Sequence, residues 1–186
     1  MVLTMGNWAT YDSKWGWRGF IERSVDDAIA AGARGIVVDL RGNEGGEDCG
    51  DVLLERLIDR EIDRAETARR VRYRRTPADL DPCLDTWDDS FRRLGEAARD
   101  DGDGLLTLPA EPSLGIRPRG RRFAGKLVVL VDAQCSSATF QFAQVVRAAG
   151  RGTIVGTPTG ATGAASTAVR SSSSACRIRA SRSTCR

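Results

Sequence analysis

Two apolar runs rich in β-branched residues, RGIVVDLRG at 34–42 and GKLVVLVD at 125–132, each lead into a turn of small residues and then into a segment of helical period. Short Val- and Ile-rich runs of this kind suit strands covered on both faces, the setting of a parallel sheet. Parallel neighbours cannot be joined by a tight hairpin, so each such strand calls for a crossover, usually helical. The flanking segments supply the helices. WGWRGFIERSVDDAIAAG at 15–32 places Phe20, Ile21, Val25, Ala28 and Ile29 on one face and stops at Gly32, residues 49–62 carry Val52, Leu53, Leu54, Leu57 and Ile58, and TFQFAQVVRAAG runs from 139 to Gly150. RGTIVGTPTG at 151–160 adds a third short strand and a turn. This alternation predicts an α/β domain with a largely parallel sheet.

Residues 64–122 break the pattern. They are dense in arginine and punctuated by Pro77, Pro82, Pro109, Pro112 and Pro118. RVRYRR at 70–75 alternates like an exposed strand, and DTWDDSFRRLGEAAR at 85–99 predicts a helix with Trp87, Phe91 and Leu94 inward. The expected organisation is one core over residues 1–160 that carries a charged insertion at about 64–122, followed by an irregular basic tail at 161–186.

Composition narrows the chemistry. The 186 residues include no histidine, and Lys14 and Lys126 are the only lysines. The commonest general base and metal ligand is therefore absent. The five cysteines, Cys49, Cys83, Cys135, Cys176 and Cys185, form no CxxC pair, so the sequence indicates neither a zinc site nor a redox motif, and no cofactor. No apolar run approaches the roughly 20 residues of a membrane span, and the N-terminus lacks the basic start and apolar middle of a signal peptide. The expectation is a soluble chain, placed in the cell envelope or exported if a segment further upstream carries a signal.

In an α/β sheet, functional groups gather where strands end and helices begin, because backbone N–H groups there are free to face a ligand. Two turns qualify, DLRGNEGG after the first strand and VDAQCSSAT after the second. The second would set Cys135, Ser136 or Ser137 at a helix N-terminus, where the dipole favours an attacking atom that gains negative charge. The first offers Gly45 and Gly46, whose amides a substrate carbonyl could approach as an oxyanion hole. Serines in front of a helix also serve as caps, each contributing about 1 kcal/mol.

GARGIVVDLRGNEGG together with FAGKLVVLVDAQCSSATFQFAQVVRAAGRGTIVGTPTG resembles the C-terminal processing peptidases, or tail-specific proteases, a family of serine peptidases. Three motifs match in order: D-L-R-x-N-x-G-G, V-D-x-x-x-S-S-A and G-x-P-T-G. The resemblance covers about half of the chain. It implies a ClpP/crotonase-like spiral core with mostly parallel strands, incomplete at both ends, and peptide-bond hydrolysis through an acyl-enzyme. It also implies that Ser137 is the nucleophile, with the N–H of Ala138 and one of Gly45 and Gly46 as the oxyanion hole. The implied substrate is a peptide or protein.

The general base departs from the family pattern. The position that holds the family's lysine is Thr162 here, and other branches take a histidine from a segment upstream of this core. No base is found, so the chain reads as a truncated peptidase domain, weak or inactive alone. A non-catalytic ligand- or peptide-binding module on the same fold is the alternative.

The tail departs as well. Residues 151–186 hold six arginines and no carboxylate, a composition that could serve a disordered basic tail or a nucleic-acid contact. Read one phase over with permitted codons, residues 160–186 become RDRRGINGGAFFFLRLPHSGLEVDLP, two alternating apolar segments around a proline and glycine turn. The expectation is that the frame shifts near Gly160, so the tail implies no nucleic-acid partner.

Overall fold

The computed structural model describes residues 1–11, 13–63, 69–85, 89–109, 115–160 and 177–178. Its elements in chain order are β1 (Val2–Thr4), α1 (Trp17–Ala30), β2 (Gly35–Asp39), α2 (Cys49–Glu55), β3 (Arg70–Val71), β4 (Leu84–Asp85), β5 (Arg99–Asp100), β6 (Leu106–Thr107), β7 (Lys126–Val131), α3 (Ser137–Ala148), β8 (Thr153–Gly156) and β9 (Arg177–Ile178). They divide between two compact units, one formed by residues 1–64 and 113–166, the other by 65–112 and 167–186.

The first unit is built on a four-stranded, wholly parallel sheet in the order β1-β2-β7-β8. The two runs singled out in the sequence are its central pair, in register from Gly35 opposite Lys126 to Asp39 opposite Leu130. Mixed α/β with parallel strands is thus the fold class, as the alternation implied. Burial along β2 and β7 alternates: Ile36, Val38, Leu127, Val129 and Val131 are buried, whereas Val37, Val128 and Leu130 are half-buried. Full cover on both faces, expected from the unbroken apolar runs, is therefore realised on one face only among the described residues.

Helices α1, α2 and α3 contribute Ile21, Val25, Val52, Leu53, Leu54, Phe142 and Val146 to a single core with these strands. Each such side chain, taken fully out of water, contributes roughly 1.5–3 kcal/mol. Both long helices stop as their glycines foretold. Ala33 N–H donates to Ala28 O at 2.9 Å and Arg151 N–H to Val146 O at 3.0 Å, the 6→1 bond of a Schellman motif around Gly32 and Gly150.

Three local expectations change. The helix predicted over 49–62 ends at Glu55, because Leu57 and Ile58 are buried in a following turn and Arg56 is held by Asp26 and by Arg121 O. The helix predicted over 85–99 is a 3-10 turn at Asp89–Arg93 followed by β5; Trp87, expected on its inner face, lies outside the described residues. The alternating segment 70–75 forms strand only at Arg70–Val71. β1 had no sequence signal, being three residues whose partner in β2 is more than 30 positions away.

In the second unit, β3, β6 and β5 form a small antiparallel sheet, and β4 pairs with β9. Ala98, Leu106 and Leu108 make its small core, with Val71 and Leu94 against it. Arg70 bridges Asp101 and Asp103 at 3.3 and 2.5 Å. Thr162 and the remainder of the tail, 161–176 and 179–186, lie outside the described residues.

Candidate active site

The turns that follow the C-terminal ends of β2 and β7 meet, because adjacent parallel strands deliver their following loops to the same end of the sheet. Asp132 ties the two turns together. Its Oδ2 accepts the N–H of Gly42 at 2.9 Å and its Oδ1 that of Gln134 at 3.0 Å. These donors, with Gly42 foremost, hold its carboxyl below the usual range. In the first turn Asp39 is likewise depressed, chiefly by the side chain of Arg41, which binds it through Nε at 2.9 Å and a terminal nitrogen at 2.7 Å.

Asn43 is the buried centre of the first turn, wholly removed from solvent. Its Nδ2 donates to Met5 O at 2.6 Å, just past β1, and its Oδ1 accepts the N–H of Gly45 at 2.8 Å. Its carbonyl accepts the Thr139 hydroxyl at 2.9 Å. One side chain and its backbone thus join the β1 end, the glycine turn and α3. Asn43, Asp132 and Thr139 escaped notice as separate residues, although Asn43 and Asp132 are the polar members of the two motifs.

Ser137 is the first residue of α3, half-buried, with φ of +50°. It is the one non-glycine residue with positive φ among the described residues. That conformation costs a non-glycine residue of order 1–3 kcal/mol. Ser136 occupies the cap position but makes no capping bond; its hydroxyl donates across to Glu44 O at 2.9 Å. Neither serine therefore acts as a side-chain cap. Cys135 is buried with its Sγ 3.1 Å from Leu40 O, and burial pushes its thiol pKa up, away from the reactive thiolate.

The two glycines face different neighbours. A Cβ on Gly45 would stand 2.8 Å from Ser137 Cβ and 2.9 Å from Ala138 N, so the turn lies directly against the start of α3. A Cβ on Gly46 would collide with the backbone of Trp8 and Ala9, because Gly46 bridges in parallel to Trp8. Both have positive φ, +98° and +136°, conformations open to glycine. The Gly45 amide is taken by Asn43. Among the described residues the amides of Gly46 and Ala138 make no hydrogen bond.

The segment after β8 also comes to this place: a Cβ on Gly160 would strike Ala133 O, in the turn that leads to Ser137. Lys126 starts β7 at the opposite end of the sheet, five residues before Val131 and therefore roughly 16 Å from that strand's end. Among the described residues no cluster of three or more His, Cys, Asp or Glu side chains is arranged to hold a metal ion, and no helix is long and apolar enough to cross a membrane.

Solved structures share this fold. A putative peptidase from Parabacteroides merdae matches with a TM-score of 0.54 at 19% identity, over 86% of this chain and 40% of its own. Mature CPAF in complex with lactacystin matches with a TM-score of 0.53 at 17% identity, over 85% and 37%. The photosystem II D1 C-terminal processing protease matches with a TM-score of 0.52 at 17% identity, over 84% and 30%. The chain thus spans well under half the length of each. No curated protein matches the sequence. The family model described as "Peptidase family S41" matches residues 4–183, almost the whole length. The chain belongs to peptidase family S41, the serine-peptidase family whose turns it carries between β2 and α2 and between β7 and α3.

Proposed function

We propose that this chain is the nucleophile-bearing part of a serine peptidase that cleaves peptide or protein substrates through an acyl-enzyme on Ser137. The observation that carries the reading is the strained start of α3. Ser137 sits at positive φ on the N-terminus of a 12-residue helix, pressed against a glycine turn. A strained turn holding a serine at a helix start is a recurrent way to expose a nucleophile. The helix supplies roughly half a positive charge to the oxygen that becomes negative.

In this mechanism Ser137 Oγ attacks the peptide carbonyl carbon. The carbonyl oxygen takes the negative charge and is received by the amides of Ala138 and Gly46, neither of which makes a hydrogen bond among the described residues. Collapse of the tetrahedral intermediate expels the amine, and water then hydrolyses the ester. The attack needs a base to take the serine proton. Lys126 stands at the far end of β7 and the chain has no histidine, so neither of these supplies the base in this reading.

An active-site fluorophosphonate tests the assignment. Labelling of the wild type that disappears in Ser137→Ala supports it, and equal labelling of both removes Ser137 from the role. Thr162 at the position of the family's lysine, together with the absence of histidine, favours a second reading, a module that binds peptides or apolar ligands on the same fold without turnover. Retained binding with no hydrolysis, once the upstream region of a relative is supplied, selects that reading.

A further inference from the structure

The peptide unit between Glu44 and Gly45 is held at both ends. Its N–H donates to Asn43 Oδ1 at 2.8 Å, and its carbonyl accepts the Ser136 hydroxyl at 2.9 Å. The first bond is local to the glycine turn, whereas the second joins residues 92 positions apart in sequence. A peptide unit is planar, so bonds at its two ends fix the direction of the whole plane. Thr139 reaches the same turn less exclusively. Its Oγ1 lies 2.9 Å from Asn43 O and 2.6 Å from Ser136 O, and its single proton serves one of them at a time.

The next peptide unit, between Gly45 and Gly46, makes no hydrogen bond at either end among the described residues. Both glycines carry positive φ, +98° and +136°, and neither has a Cβ to restrict rotation about its backbone. Nothing inside this unit therefore decides which way the Gly46 N–H points. The decision comes from either side. Beyond it, Glu47 N–H donates to Trp8 O at 2.8 Å, and the backbone of Trp8 and Ala9 closes against Gly46. Before it stand the bonds from Asn43 and Ser136. Ser136 has extended backbone, φ −142° and ψ 177°, at the cap position of α3, where a serine ordinarily bonds an N–H of its own helix. Here the hydroxyl goes to the other turn, so its removal leaves the bonds of α3 intact.

We propose that Ser136 is a positioning residue for the peptidase reaction: by holding the Glu44 carbonyl it keeps the Gly46 N–H aimed at the oxygen that becomes negative when Ser137 attacks. A donor aimed in advance stabilises that charge without reorganising as it forms. This inference rests on the peptidase reading above, and its test separates the two.

The Gly46 amide resonance is followed by NMR in the isotopically labelled full chain, as wild type, Ser136→Ala and Ser136→Thr. In parallel, Ser137 labelling by an alkyl fluorophosphonate is resolved into a binding constant and a maximal rate per folded molecule. Glu44 is exposed, so water takes over its carbonyl in Ser136→Ala and the variant folds. Threonine keeps the hydroxyl and suits extended backbone. Ser136→Ala should broaden or double the Gly46 resonance and lower the maximal labelling rate by roughly tenfold, with the binding constant unchanged. Ser136→Thr should restore both. A Gly46 resonance or a maximal rate that Ser136→Ala leaves unmoved overturns the assignment even where Ser137 labels. A Gly46 resonance that depends on the Ser136 hydroxyl in a chain whose Ser137 never labels upholds the hold on the turn and removes the hydrolytic reading.

Discussion

The N–H of Gly45 donates to Oδ1 of Asn43 at 2.8 Å, a bond between the two buried residues of a turn whose Arg41, Gly42 and Glu44 are exposed. On the proposed peptidase reading, that bond leaves Gly46 as the donor from the glycine pair, with Asn43 holding the turn in place. Asn43→Ala strands the Gly45 N–H and the Met5 carbonyl without their partner. A buried group left unsatisfied costs about 1–3 kcal/mol. Urea unfolding should show a loss of about 2–4 kcal/mol, and fluorophosphonate labelling of the remaining folded protein should slow as well. An unchanged midpoint would show that water replaces the side chain.

Gly45→Ala tests the contact between the turns. The new Cβ would stand 2.8 Å from Ser137 Cβ at a φ of +98°. We expect destabilisation of at least about 2 kcal/mol and loss of Ser137 labelling. Full labelling in this variant would mean that the two turns are further apart than the structure has them.

Ser137→Gly and Ser137→Ala should part company. Both remove the hydroxyl, but glycine alone relieves the positive φ, worth roughly 1–2 kcal/mol. Thermal unfolding is therefore expected to rank Ser137→Gly above Ser137→Ala. The reverse order would show that helix propensity outweighs backbone strain at this position.

Asp132 links the turns through the amides of Gly42 and Gln134, and these lower its pKa in the folded chain. A depressed carboxylate stabilises the fold above its unfolded pKa of about 3.9, and that contribution is lost as pH falls through the lower folded value. The difference in stability between wild type and Asp132→Asn should be full at neutral pH and shrink on acidification below about pH 4. A difference independent of pH would assign the link to hydrogen bonding without charge.

The phase-shifted reading of the tail makes a prediction at the level of DNA. Genomic sequence around the codon for Gly160 should show an inserted or deleted base, after which the second phase continues as alternating apolar segments. An uninterrupted frame there removes the idea and leaves the basic tail as the native one.

Much of the core could be read from residues alone, because the information was local. Period 3.6 in 17–30 and 137–148 and the β-branched runs of β2 and β7 depend only on neighbours in sequence. The glycines after the helices and the order of three short motifs were equally plain. Charge-dense 85–99 misled, since a few apolar residues at helical spacing do not make a helix where so little apolar surface is available to bury. β1 was silent because three residues carry no period, and its place depends on a partner far along the chain.

What the sequence determined by itself was the set of candidate groups: Cys135, Ser136, Ser137, Gly45 and Gly46, on an α/β core, with no histidine and two lysines. What only the tertiary structure decided was where each of them sits and what it bonds to. Cys135 is sealed against Leu40 O, Ser136 reaches across to Glu44, Gly45 spends its amide on Asn43, and Lys126 stands at the other end of the sheet. Each of these depends on residues that lie far apart in sequence or on the direction of a single N–H or hydroxyl. Side-by-side packing of β2 and β7 sets both, and residue order alone does not encode them.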